Sequence, residues 1–175
     1  VKGLLDNGAF NINRGGYDEA YQISEQVLET RELLCRMFNF DKPKNAVFTP
    51  SITYSLNYLI KGYLKPGDHV ITSSMEHNAV MRPLVQMEKQ GVAFDCAQCE
   101  PTGALDPERV EALIRPNTRA VVMMAASNVC GTFLPIKEVG EICRRKGIKF
   151  FVDSAQTAGT FPIDMKEMNI DALTF

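Results

Sequence analysis

The chain has no apolar run approaching the roughly 20 residues of a membrane-spanning helix, and its N-terminus, "VKGLLDNGAF", lacks the anatomy of a signal peptide. It has little net charge, −2 over 175 residues, so electrostatics gives no reason to expect nucleic acid or an anionic membrane surface as partner. Five cysteines are an odd number for a disulfide framework, and a reducing cytoplasm is the expected compartment. No G-x-x-x-x-G-K and no G-x-G-x-x-G occurs, which removes the Walker and dinucleotide fingerprints. Internal repeats, linkers and low-complexity tracts are absent as well.

What is present is an ordinary globular composition, 45% hydrophobic and 23% charged, in which strand-like and helix-like patterns alternate. Ile23, Val27, Thr30, Leu34 and Met37 recur at spacings of four and three, the signature of one helical face. A short buried strand is predicted at 45–49 ("NAVFT") and a helix at 53–64, with Leu56, Leu59, Ile60 and Tyr63 inward. After the turn Pro66-Gly67-Asp68 come a strand at 69–73, a helix over 78–91 closed by Gly91, and a strand at 92–97. A segment from Pro107 to Ile114 precedes a strand at 119–127. The helix that opens on Pro135 ends in Arg144-Arg145-Lys146-Gly147, and two more strands are predicted at 149–153 and 171–175. Such alternation predicts a three-layer α/β/α domain around a mainly parallel sheet.

In an open sheet of this kind ligands bind beyond the carboxyl ends of the strands. The residues just after each strand are therefore the ones to weigh. "TPSITYS" comes after the first, and the amides of Ile52 and Thr53 with the Thr53 hydroxyl can hold a phosphate or simply start a helix. "SMEHNAV" brings His77 and "SNVCGT" brings Asn128. The run at 148–152 stops at Asp153, with Gln156 three residues on. Each has an ordinary reading alone, as a cap, a surface histidine or a turn residue. Four polar groups converging on one edge point to a site. Cys96-Ala97-Gln98-Cys99 has the spacing of half a zinc or redox site, but no second pair completes it. Core packing is the expected role of Cys96, Cys130 and Cys143, and His69 is expected to be a solvated edge residue.

The segments "NINRGGYDEA", "FTPSITYSLN", "KPGDHVITSSMEHNAVMRPL", "SNVCGT" and "VDSAQTAGTFPIDM" resemble, in order and over nearly the whole chain, the class V branch of fold-type I pyridoxal-phosphate enzymes. Cysteine desulfurases and selenocysteine lyases are the nearest branch. The resemblance implies pyridoxal 5′-phosphate as cofactor, with Asp153 pairing the pyridine nitrogen and Asn128 and Gln156 bonding the phenolic oxygen. It implies His77 on the ring as stacking partner and proton carrier, and Ile52 and Thr53 at the phosphate. Asn13 and Arg14 match a family segment near the site.

The phosphate segment departs from the family in Pro50, Ser51 and Ile52, where a glycine and a threonine are usual. Residues 1–9 read as the end of an incoming helix. The lysine that carries the cofactor, the substrate-carboxylate arginine, the sulfur-accepting thiol and the small C-terminal domain are expected beyond Phe175. The 175 residues are then part of a large domain, without desulfurase activity of their own.

The parent activity implied is conversion of L-cysteine to L-alanine with sulfur passing to an enzyme thiol, in a homodimer serving a sulfur-acceptor protein. An aminotransferase, epimerase or kynureninase-like hydrolase shares the same cofactor residues. For these residues alone, a non-catalytic α/β module is the rival from another class.

Overall fold

The computed structural model describes residues 18–175; residues 1–9, Asn13 and Arg14 lie outside them. The chain divides into two compact units, Val1–Val47 and Phe48–Phe175. In the first, helix α1 spans Asp18–Met37 and is followed by a 3-10 turn, Pro43–Asn45. The helical period is as predicted but its phase is displaced. Ala20 and Cys35 are the buried positions of α1, whereas Thr30 and Met37 are exposed.

The second unit contains α2 (Ile52–Tyr63), β1 (His69–Ser73), α3 (Asn78–Glu88), β2 (Ala93–Ala97) and α4 (Pro107–Ala112). It continues with β3 (Thr118–Met124), α5 (Ile136–Lys146), β4 (Lys149–Asp153) and β5 (Ala172–Thr174). The strands form one sheet in the order β2-β1-β3-β4-β5, every pair parallel.

Alternation along each strand sorts side chains to two faces. Val70, Val122 and Phe151 pack with Leu56, Ile60, Val80 and Leu84, so α2 and α3 cover one face. Phe150 faces the other way, against α5, where an added Cβ on Gly140 would lie 3.4 Å from its ring. This is the predicted three-layer arrangement.

Local chemistry explains the ends. Lys89 caps α3, and Gly91, at φ +89, turns the chain into β2. Gly147, at φ +69, caps α5 with its N–H on the carbonyls of Arg144 and Cys143. Asp106 caps α4 by accepting from the Glu108 N–H.

Two expectations are corrected. The strand predicted at 45–49 is absent: Asn45 closes the 3-10 turn, residues 46–49 join no ladder among the described residues, and Val47 and Phe48 are exposed. An apolar pentapeptide without a neighbouring strand satisfies no backbone groups by extending. His69, expected in solvent, is 0% exposed. Its Nδ1 lies 2.8 Å from Thr118 Oγ1 and its Nε2 3.2 Å from Asp95 Oδ2. Burial pushes its pKa below the usual histidine value, Arg115 adds to this, and Asp95 opposes it.

Candidate active site

The strand order itself selects a location. From β1 the chain goes to β2 on one side, whereas β3 lies on the other side of β1. The connections leaving β1 and β3 therefore diverge and open a crevice at the carboxyl edge, the place where ligands bind in open α/β sheets. His77 comes after β1 and Asn128 after β3 at this switch point, and Asp153 ends the adjacent β4.

His77 is the N-cap of α3. Its Nδ1 accepts from the Ala79 N–H at 3.1 Å, which places the proton of the neutral ring on Nε2. His77 and Thr53 line one cavity of about 430 Å³ between α2 and α3, together with Asn57, Asn78, Arg82 and Gln86. At the start of α2 the side chain of the N-cap Ser51 makes no capping hydrogen bond. The first-turn amides of Ile52 and Thr53 are thus left for an external acceptor. Ile52 turns its side chain to the core, and Thr53 is exposed.

Asp153 is 5% exposed. Its Oδ1 accepts from the Ala155 N–H at 3.0 Å, and no lysine or arginine pairs with it among the described residues. Burial raises its pKa, opposed by that N–H and by the charge of His77. Asp153 and His77 therefore lie within electrostatic reach of one another. Asn128 and Gln156 are exposed at the same edge, but neither they nor Asp153 line the cavity shared by Thr53 and His77. The Ser127 hydroxyl accepts from the N–H groups of Val129 and Cys130, at 3.2 and 3.4 Å, and shapes the turn that carries Asn128.

Cys130, expected in the core, is exposed instead, its thiol pKa lowered to about 7 by hydrogen bonding with Ser127 and Thr132. Cys143 is buried as expected and pushed up to about 12 by burial.

One residue escaped the sequence reading. Glu76 stands beside His77 in "SSMEHNAV", where an acid at a helix start reads as a solvated charge favoured by the helix dipole. Glu76 is half-buried as a residue, yet its carboxyl is enclosed. Oε1 accepts from the Ser73 hydroxyl at 2.5 Å, and the Met124 N–H lies 3.0 Å from both oxygens. Burial pushes it up to about 8, against the Ser73 and Met124 hydrogen bonds, with Asp153 adding to the rise.

The model of the class V aminotransferase family matches residues 2–175. The chain belongs to the class V aminotransferase family. Cysteine desulfurase IscS of Vibrio campbellii is 37% identical over the whole chain and 43% of its own length. The IscS of Vibrio atlanticus is 38% identical over 99% of the chain and 43% of its own length. Among solved structures, SspA in complex with cysteine aligns at TM-score 0.89 and 29% identity, over 99% of this chain and 53% of that one. The apo cysteine desulfurase of Thermococcus onnurineus NA1 aligns at TM-score 0.86 and 26% identity, over 94% of this chain and 42% of that one. This chain thus spans about half or less of the proteins it matches. The sheet is that of fold-type I enzymes, and the cofactor of the family is pyridoxal 5′-phosphate.

Proposed function

We propose that this chain is the cofactor-binding part of a pyridoxal-phosphate-dependent cysteine desulfurase, which converts L-cysteine to L-alanine and passes sulfur to an enzyme thiol. The observation that carries the reading is Asp153. A carboxylate buried at a strand end with no basic partner among the described residues is costly. A cationic ring N–H offsets that cost, and among the described residues Oδ2 accepts no other hydrogen bond.

The remaining groups fit the same molecule. The uncapped amides of Ile52 and Thr53, with the Thr53 hydroxyl, hold the phosphate. His77 offers its ring face for stacking and Nε2 for moving a proton. Asn128 and Gln156 supply amide donors for the phenolic oxygen. When bound, the cofactor acts as an electron sink for the substrate's α-carbon. Asp153 maintains that capacity by keeping the ring nitrogen protonated. The lysine, arginine and thiol implied by the family resemblance are assigned to the rest of the full-length protein, and the 175 residues alone are expected to be inactive. The reading carries with it a homodimer in a reducing cytoplasm and a sulfur-acceptor protein.

The test is to load the full-length protein with pyridoxal phosphate and add L-cysteine. Alanine and protein-bound persulfide are expected in equal amounts. Amino-group transfer to a keto acid, without persulfide, would instead support an aminotransferase.

A further inference from the structure

Glu76 has no part in the chemistry above, yet it occupies the switch point itself. It belongs to the turn that delivers His77, and it reaches across to the Met124 N–H at the end of β3. Met124 is paired in register with Asp153 on β4, and the Ala125 N–H continues the ladder to the Asp153 carbonyl at 2.8 Å. The Glu76 carboxyl therefore stands one strand away from the anion assigned to the cofactor. No lysine or arginine pairs with either carboxyl among the described residues. We propose that Glu76 is a positioning residue of the cofactor site: held neutral, its carboxyl ties the His77 turn to β3 and leaves Asp153 the single anion beneath the ring.

Two enclosed carboxyls near one another, with no lysine or arginine paired to either, do not both ionise readily. Asp153 has a cation to meet once the cofactor is present, and it already faces His77. Among the described residues Glu76 meets the Ser73 hydroxyl and the Met124 amide as donors, with the Ser73 backbone adding to them. The titratable groups around it are Asp153 on β4, Cys96 on β2 and its neighbour His77. The Cys96 thiol is raised by burial first and by Glu76 next. The raised value of Glu76 agrees with the neutral form. Were Glu76 ionised, a second negative charge would compete with Asp153 for the cationic ring nitrogen.

The inference rests on the cofactor reading, and two measurements separate them. The first compares pyridoxal phosphate affinity, read by absorbance and fluorescence, in the full-length wild type, Glu76→Ala and Glu76→Gln between pH 6 and 9. Glu76→Ala is expected to weaken binding about ten-fold, roughly the loss of one buried tie, with circular dichroism unchanged. Glu76→Gln, shaped like the neutral acid, is expected to recover most of that loss. It should also lack the fall in affinity expected of the wild type above pH 8. A glutamine variant no better than alanine, or a pH profile identical to wild type, overturns the proposal.

The second measurement is urea unfolding without cofactor over the same pH range. A wild type that loses stability relative to Glu76→Gln as pH rises supports the neutral carboxyl, and a constant difference overturns it. Absence of binding by the wild type would overturn the cofactor reading and the positioning role with it, whatever the unfolding shows.

Discussion

The Met124 backbone N–H lies 3.0 Å from each oxygen of Glu76, although 48 residues separate the two. This contact joins the turn after β1 to the end of β3 where the sheet changes direction. Asp153 lies next to Met124 in the ladder, so the two enclosed carboxyls are read as one electrostatic unit.

Stability should fall as pH rises through the neutral range. The folded-state value of Glu76, about 8, lies above its ordinary value of 4.5. Between these values the unfolded chain releases a proton that the folded chain keeps, so deprotonation favours unfolding. The slope is on the order of 1 kcal/mol per pH unit within that window and vanishes outside it. Asp153, also raised by burial, adds the same sign at lower pH. His69 acts oppositely: its folded value is below 6.5, so stability is lost as pH falls below 6.5. Urea midpoints across pH 4–9 should pass through a maximum in the acidic range, and Glu76→Gln should flatten the alkaline limb.

Gly140→Ala should destabilise the fold despite placing a better helix former in α5. The new Cβ would lie 1.9 Å from the Met168 carbonyl oxygen and 3.0 Å from its carbon. Helix propensity returns at most about 1 kcal/mol, whereas an overpacked contact of this kind costs about 1–3 kcal/mol or more. Thermal denaturation of the variant measures the balance, and an unchanged or higher midpoint would mean that the Met168 segment yields freely.

Thr72 lies in β1 with a fully buried hydroxyl that has no hydrogen-bond partner among the described residues. Thr72→Val removes an unsatisfied polar group at nearly constant volume. It is expected to stabilise the protein by about 1 kcal/mol. Chemical denaturation checks this, and a comparable loss would reveal a partner for the hydroxyl.

Cys130 should be alkylated before Cys35, Cys96 and Cys143 at pH 7. It is exposed and lowered to about 7 by its hydroxyl neighbours, and the thiolate is the reactive form. Cys35 and Cys143 are buried, and the Cys96 thiol is raised. Timed iodoacetamide labelling with peptide mass mapping should find Cys130 ahead of all three.

The parallel sheet was readable because helical and strand periods alternate and because Gly91 and Gly147 mark turns. Asp153 was readable as an apolar run ending in an acid. "NAVFT" misled because a short apolar run carries no period, and its lack of a ladder partner is a tertiary fact. His69 misled because its partners, Asp95 and Thr118, lie 26 and 49 residues away. Glu76 was hidden for the same reason, since its acceptor role is defined by Met124 on another strand. Local spacing specifies elements; which polar group is enclosed depends on chain segments brought together by the fold.

The most direct test of the proposed chemistry is alanine release from L-cysteine by full-length Asp153→Asn protein loaded with pyridoxal phosphate. The amide cannot hold the ring nitrogen protonated by charge, so turnover should fall by about 10²–10³-fold, the scale of losing one preorganised electrostatic group, with folding intact. Turnover equal to wild type would contradict the assignment of Asp153 to the ring nitrogen.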